Sequence, residues 1–86
     1  MSKAQSQGGL LTCDSETHTI VVKVMHSDSA SWSRSVKPCA NKVFDAFMRS
    51  PRGQEWISAG YARFSVSADY GAVEGGSLIT YTMSLA

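Results

Sequence analysis

The stretch Thr19-Ile20-Val21-Val22-Lys23-Val24-Met25 decides the fold. Five of its seven residues are β-branched, and such side chains lose little rotamer freedom on a pleated surface and pack well there. Ile20, Val22 and Val24 are uniformly apolar, while Thr19, Val21, Lys23 and Met25 are half polar. Side chains alternate between the two faces of a strand. The pattern therefore predicts a strand with one face on the core and the other at most half covered.

Upstream, Leu10-Leu11-Thr12-Cys13 reads as a short strand, and Asp14-Ser15-Glu16-Thr17 as the turn between the two, since Asp and Ser side chains bond their own backbone. The pair makes a hairpin. Met1 to Gly8 is polar, small and aperiodic, and reads as a flexible tail (1–8) ahead of one α+β domain (9–86). A chain of 86 residues is one domain, burying roughly 60–65% of its unfolded surface.

Downstream, serine occupies every second place from Ser27 to Ser35. Period two would suit an extension of the strand, but the preferred reading of His26 to Ser35 is a Ser-rich loop. A helix follows, with Ser35 as its cap and Pro38 in its first turn. Ala40, Val43, Phe44, Phe47 and Met48 recur at helical spacing and form an apolar stripe. Lys42, Asp45 and Arg49 share an exposed, ion-paired face. Pro51 stops this helix, and Ser50-Pro51 caps and opens a short second one that turns Trp56 and Ile57 inward and ends at Gly60.

Phe64, Val66 and Ala68 alternate with Arg63, Ser65 and Ser67 as a third strand. Tyr70 to Gly76 holds three glycines and reads as a mobile connection. Leu78 to Leu85 closes the chain, with Ile79, Tyr81, Met83 and Leu85 on one face. The fold expected is α+β, in the order β-β-α-α-β-β: a four-stranded antiparallel sheet with one longer and one short helix packed on one face. Its core should hold Ile20, Val22, Val24, Val43, Phe44, Phe47, Trp56, Ile57, Phe64, Val66, Ile79, Tyr81 and Met83.

The chemistry-bearing residues are few. The common nucleotide-binding, hydrolase, zinc and dithiol motifs are absent, so the expectation is a non-enzymatic chain without cofactor or metal. His18 and His26 share strand parity but lie roughly 26 Å apart along it, too far for one metal, and read as strand-end residues in solvent. A turn over Asp14 to Thr17 would set Cys13 opposite His18 with Cβ atoms about 5 Å apart. Without a third group to orient it, that is an ordinary cross-strand pair rather than an activated thiolate. Cys39, beside a helix start, is a candidate for a lowered thiol pKa, but reads first as a small packing residue. Two cysteines make no disulfide framework, no apolar run approaches a membrane span, and no secretory pattern opens the chain. These point to a cytoplasmic protein with free thiols and no membrane contact.

The net charge is +1 and the pI about 7.8, below the value of about 9 usual in dedicated nucleic-acid binders. Trp32 and Tyr70 stand in segments where a core does not need them, and Arg34 is close to Trp32. Trp, Tyr and Arg dominate interface energetics, so Trp32 reads either as an anchor for a partner or as a lid on the core. Arg34, Lys37, Lys42, Arg49 and Arg52 cluster against the single Asp45. The leading expectation is a protein-binding module using Trp32, Arg34, Lys37, Lys42, Arg49, Arg52 and Tyr70, whose partner presents an acidic surface. Such a module resembles in type, though in no motif, the small phage and mobile-element proteins that inhibit host defence complexes, as anti-CRISPR proteins do. One alternative is a nucleic-acid-binding domain using the same basic stretch on phosphates. Another is a structural homodimer, since four strands leave two edges and a half-apolar outer face at Val21, Met25 and Leu78.

Overall fold

The computed structural model describes residues 7–86. Its elements are β1 (Gln7–Asp14), β2 (Thr19–Met25), a π-helical turn (Trp32–Val36), α1 (Lys37–Arg49), α2 (Pro51–Ser58), β3 (Tyr61–Val73) and β4 (Gly76–Leu85). The four strands form one antiparallel sheet in the order β1-β2-β4-β3, with the helices on one face, as the apolar patterns require. The two central strands are those with the cleanest apolar alternation. Ile20 lies opposite Tyr81 and Val22 opposite Ile79, and all four are buried.

Helix α1 lies over β1 and β2 and buries Ala40 and Phe47. Trp56 of α2 meets the Phe47 ring edge-on at 4.9 Å. The corner between the helices is set by Ser50, whose Oγ accepts from the Gly53 N–H at 3.2 Å and whose own hydroxyl donates to the Phe47 carbonyl. Gly53 is required there, because a Cβ would run into the Phe47 carbonyl oxygen and the Met48 backbone. Among the described residues no helix is long and apolar enough to cross a membrane.

Several local expectations are corrected. Gln7 and Gly8 belong to β1, pairing with Met25 and Val24; the rest of the expected tail, residues 1–6, lies outside the described residues. The first turn closes one residue later than expected, with Asp14 opposite Thr19 and Cys13 opposite Ile20. His18, at φ 53°, is part of that turn and does not face Cys13. Nor is it a strand end in solvent: its ring stacks on Tyr61 at 3.6 Å and meets Trp56 edge-on at 4.9 Å, closing one end of the core. His26 is held at the other end. Its Nε2 is 2.7 Å from the Ser77 hydroxyl and its Nδ1 2.7 Å from the Ser27 carbonyl. The carbonyl can only accept, so Nδ1 carries the proton, and in the neutral ring Nε2 accepts from Ser77.

The serine-alternating segment is neither strand nor loop throughout. After a loop to Ser31, the backbone winds into the π-helical turn, with the Val36 N–H donating to the Ser31 carbonyl at 3.1 Å. That turn runs straight into α1, so Val36 rather than Ser35 occupies the cap position, in helical backbone and with no side-chain cap. Val36 is fully buried, a core residue that the helical stripe did not include. The connection expected over Tyr70 to Gly76 is mostly strand. β3 continues to Val73 through a register shift after Tyr70, and only Glu74-Gly75 turns, with Gly75 at φ 76° where a side chain would be strained. Three expected core residues are open to solvent: Ile57, Phe64 and Val66 are 44%, 50% and 43% exposed. Val43 and Phe44 are partly buried against the core.

Candidate binding surface

The exposed apolar residues of β3 share one face. Over Arg63 to Tyr70 the strand is in unbroken register with β4, setting Phe64 opposite Met83, Val66 opposite Tyr81, Ala68 opposite Ile79 and Tyr70 opposite Ser77. Directly opposed residues point to the same side of an antiparallel sheet, so all four lie on the helix side. Their β4 partners are buried, yet Phe64, Val66 and Tyr70 are each roughly half exposed. The reason is width. A helix with its side chains is about 10 Å across and covers roughly two strands spaced about 4.8 Å apart. With α1 over β1 and β2, the helical layer gives out at β4.

Phe44 marks the limit of the cover. Its ring stacks on Tyr81 at 4.3 Å and 8° and meets Phe64 at 4.7 Å. On one side of the Phe44–Phe64 pair lies a hollow of about 410 Å³ walled by Pro38, Asn41, Lys42 and Asp45. On the other lies a smaller one of about 240 Å³ lined by Met48, Ile57, Tyr61, Ala62 and Met83. At the far end Tyr70 packs against His26 at 5.2 Å and meets Trp32 edge-on at 6.3 Å. The result is a trough with a ring-lined floor and α1 as its wall. Beneath it the Tyr81 hydroxyl donates to Asn41 Oδ1 at 2.8 Å, and burial pushes its pKa up to about 12.

The residues singled out from the sequence distribute unevenly about this trough. Trp32 is half-buried and packs against the core as well as against Tyr70, so it serves as lid and rim together. Lys42 stands in the wall with Phe44. Arg34 and Lys37 are exposed where the chain enters α1. Arg49 is exposed and paired with Asp45 at 3.0 Å. Arg52 lies on the opposite flank, where its Nη1 donates to Ser15 Oγ at 3.3 Å and contacts Cys13 Sγ at 3.8 Å. It borders a separate hollow of about 470 Å³ between β1 and the helices, lined by Leu10, Cys13, Val43, Ala46, Phe47 and Ser50. The spacing assigns to the core Phe64 and Val66, which lie in the trough floor, and Phe44, which reaches down from its wall.

Both cysteines are free thiols. The lowered pKa considered for Cys39 is not found: burial pushes its thiol up, against an opposing pull from Lys42. Among the described residues no group of three or more His, Cys, Asp or Glu is placed to hold a metal ion. Compared with known proteins, the chain matches no family model, no curated protein and no solved structure.

Proposed function

We propose that this chain is a protein-binding module whose contact surface is the uncovered helix-side face of β3 together with the flank of α1. The observation that carries this reading is the run of Phe64, Val66 and Tyr70, half exposed on the helix side of the sheet beside β4 partners that are buried. Contiguous apolar exposure of this kind marks interaction sites, and rigid aromatic rings bring large contact area at small entropic cost. The partner has an apolar ridge to fill the trough and acidic groups to meet Lys42 in its wall and Arg34 and Lys37 at the head of α1. Such a module acts by occupying its partner's surface, as an inhibitor does.

The reading is tested by affinity capture from the source cell, with nuclease treatment before elution. A protein retained through the nuclease step by the wild-type chain, and lost from a folded Phe64→Ala variant, supports it. A partner released by nuclease would favour phosphate recognition by the basic stretch instead. Capture indifferent to Phe64→Ala would remove β3 from the contact.

A further inference from the structure

The same strand has a second unused feature, its free edge. Among the described residues β3 pairs with β4 on one side only, so along the other side its backbone N–H and C=O groups face outward. Natural sheets blunt such edges with proline, bulges, covering loops or lysine. The opposite edge of this sheet is broken within its length, for β1 carries a register shift between Leu10 and Thr12, whereas the shifts of β3 fall toward its ends, between Tyr61 and Arg63 and between Tyr70 and Val73. From Arg63 to Tyr70, β3 has neither proline nor lysine nor a break in register.

We propose that a second copy of this chain pairs with the free edge of β3, antiparallel and centred on Val66, so that Arg63 of each copy lies opposite Asp69 of the other. The charges select the register. Arg63 and Asp69 are the only charged residues of β3, they lie on its outer face, and both are exposed. In a two-fold antiparallel pair the facing positions sum to a constant, and only the pairing about Val66 opposes these two. Centring on Ser65 sets Arg63 against Ser67 and Asp69 against Tyr61. Centring on Ser67 sets Arg63 against Gly71 and Asp69 against Ser65. Opposite charges facing each other across strands stabilise a pair, and like charges destabilise it.

The apolar face agrees with the same register. Phe64 of one copy faces Ala68 of the other, bulky against small, and Val66 faces Val66 at the axis. The two-fold axis runs perpendicular to the sheet, so the helices of both copies lie on one side of a continuous eight-stranded sheet. The two open strips then join into one, flanked by an α1 on either side. This inference uses the strand edge and its charges, and stands apart from the partner protein proposed for the face.

The test is sedimentation of the full chain over a range of concentrations in low salt, where exposed charges are least screened. The expected species is a dimer of twice the 9.3 kDa chain. Arg63→Asp and Asp69→Arg each replace two attractive facings with two repulsive ones, and each should weaken the dimer on the order of tenfold. The double exchange, Arg63→Asp with Asp69→Arg, should restore it to within about threefold of wild type. Thermal melts of the variants confirm that they fold, since both side chains are exposed. A chain that stays monomeric up to about 1 mM overturns the proposal. So does a dimer indifferent to the single reversals, or one that the double exchange fails to restore.

Discussion

At the β1 flank, α1 comes down on the strand. A Cβ added at Gly8 would lie 3.1 Å from Cys39 Sγ and 3.3 Å from Val43 Cγ2, so the glycine leaves just the space the helix needs. The ladder there slips between Leu10 and Thr12, and Arg52 reaches across from α2 to Ser15 and Cys13. At the β3 flank the strand runs in register over Arg63 to Tyr70, the helix stops at the neighbouring strand, and aromatic rings stand half exposed. Both strands turn apolar side chains to the helix side of the same sheet. The difference teaches that alternation states which face a residue takes, while the width of the helical layer decides whether that face is covered. Whatever the layer fails to cover is available for recognition.

The contrast between covered and open regions can be broken most directly by truncation. Phe47→Ala removes a buried ring from the centre of the covered region and should cost about 3–5 kcal/mol, close to the whole stability of a domain this small. Phe64→Ala removes an equal ring from the open flank and should cost about 1 kcal/mol, chiefly its contact with Phe44. Urea denaturation of the two proteins would contradict the assigned cover if the losses came out equal. Next in size is Gly53→Ala, where the new methyl meets backbone and the helices must part, at about 1–3 kcal/mol. Gly9→Ala, with open space around its Cβ, serves as the control and should fall within about 0.5 kcal/mol of wild type.

A modest effect marks the boundary between the two regions, at Tyr81. Tyr81→Phe loses one hydrogen bond to Asn41 and should cost about 1 kcal/mol, Asn41 being exposed and free to take up water. The pH dependence follows from the sign of its shift. Burial raises the folded-state pKa from 10.0 to about 12, so the unfolded chain gives up its proton first. The contribution of Tyr81 is therefore fully present below about pH 10 and is lost as pH rises toward 12. Melting temperatures measured across that window should fall more steeply for wild type than for Tyr81→Phe. Equal slopes would place Tyr81 in water.

Much of the frame was legible in the sequence. β2 and β4 show one uniformly apolar face, Ser50-Pro51 marks the cap and start of α2, and the element order followed from those signals. Strand order was not legible, because no local pattern says that β4 inserts between β2 and β3. The late part of β3 was hidden by its glycines, which read as breakers; Gly71 and Ala72 instead fall at a register shift, and only Gly75 turns the chain. The period-two serines concealed a π-helical turn, since spacing does not register a backbone bond from Val36 to Ser31. As for the site, Trp32, Tyr70 and Lys42 were picked out by residue type, and the structure sets them along the trough. Phe64 and Val66 were assigned to the core because alternation carries no information on cover. The width of a helix against the spacing of strands was the one available signal that an edge strand would stay open.

The measurement that bears most directly on the open β3 face as the contact surface is the dissociation rate of the captured partner protein from three immobilised forms: wild type, Phe64→Ala on the β3 flank and Arg52→Ala on the β1 flank. Removing a ring at the centre of an interface typically costs at least about 2 kcal/mol, or roughly 30-fold, largely through faster dissociation. The expected result is that Phe64→Ala releases the partner about 30-fold faster or more, while Arg52→Ala releases it at the wild-type rate. Release from Phe64→Ala at the wild-type rate, or an equal acceleration by Arg52→Ala, would contradict it.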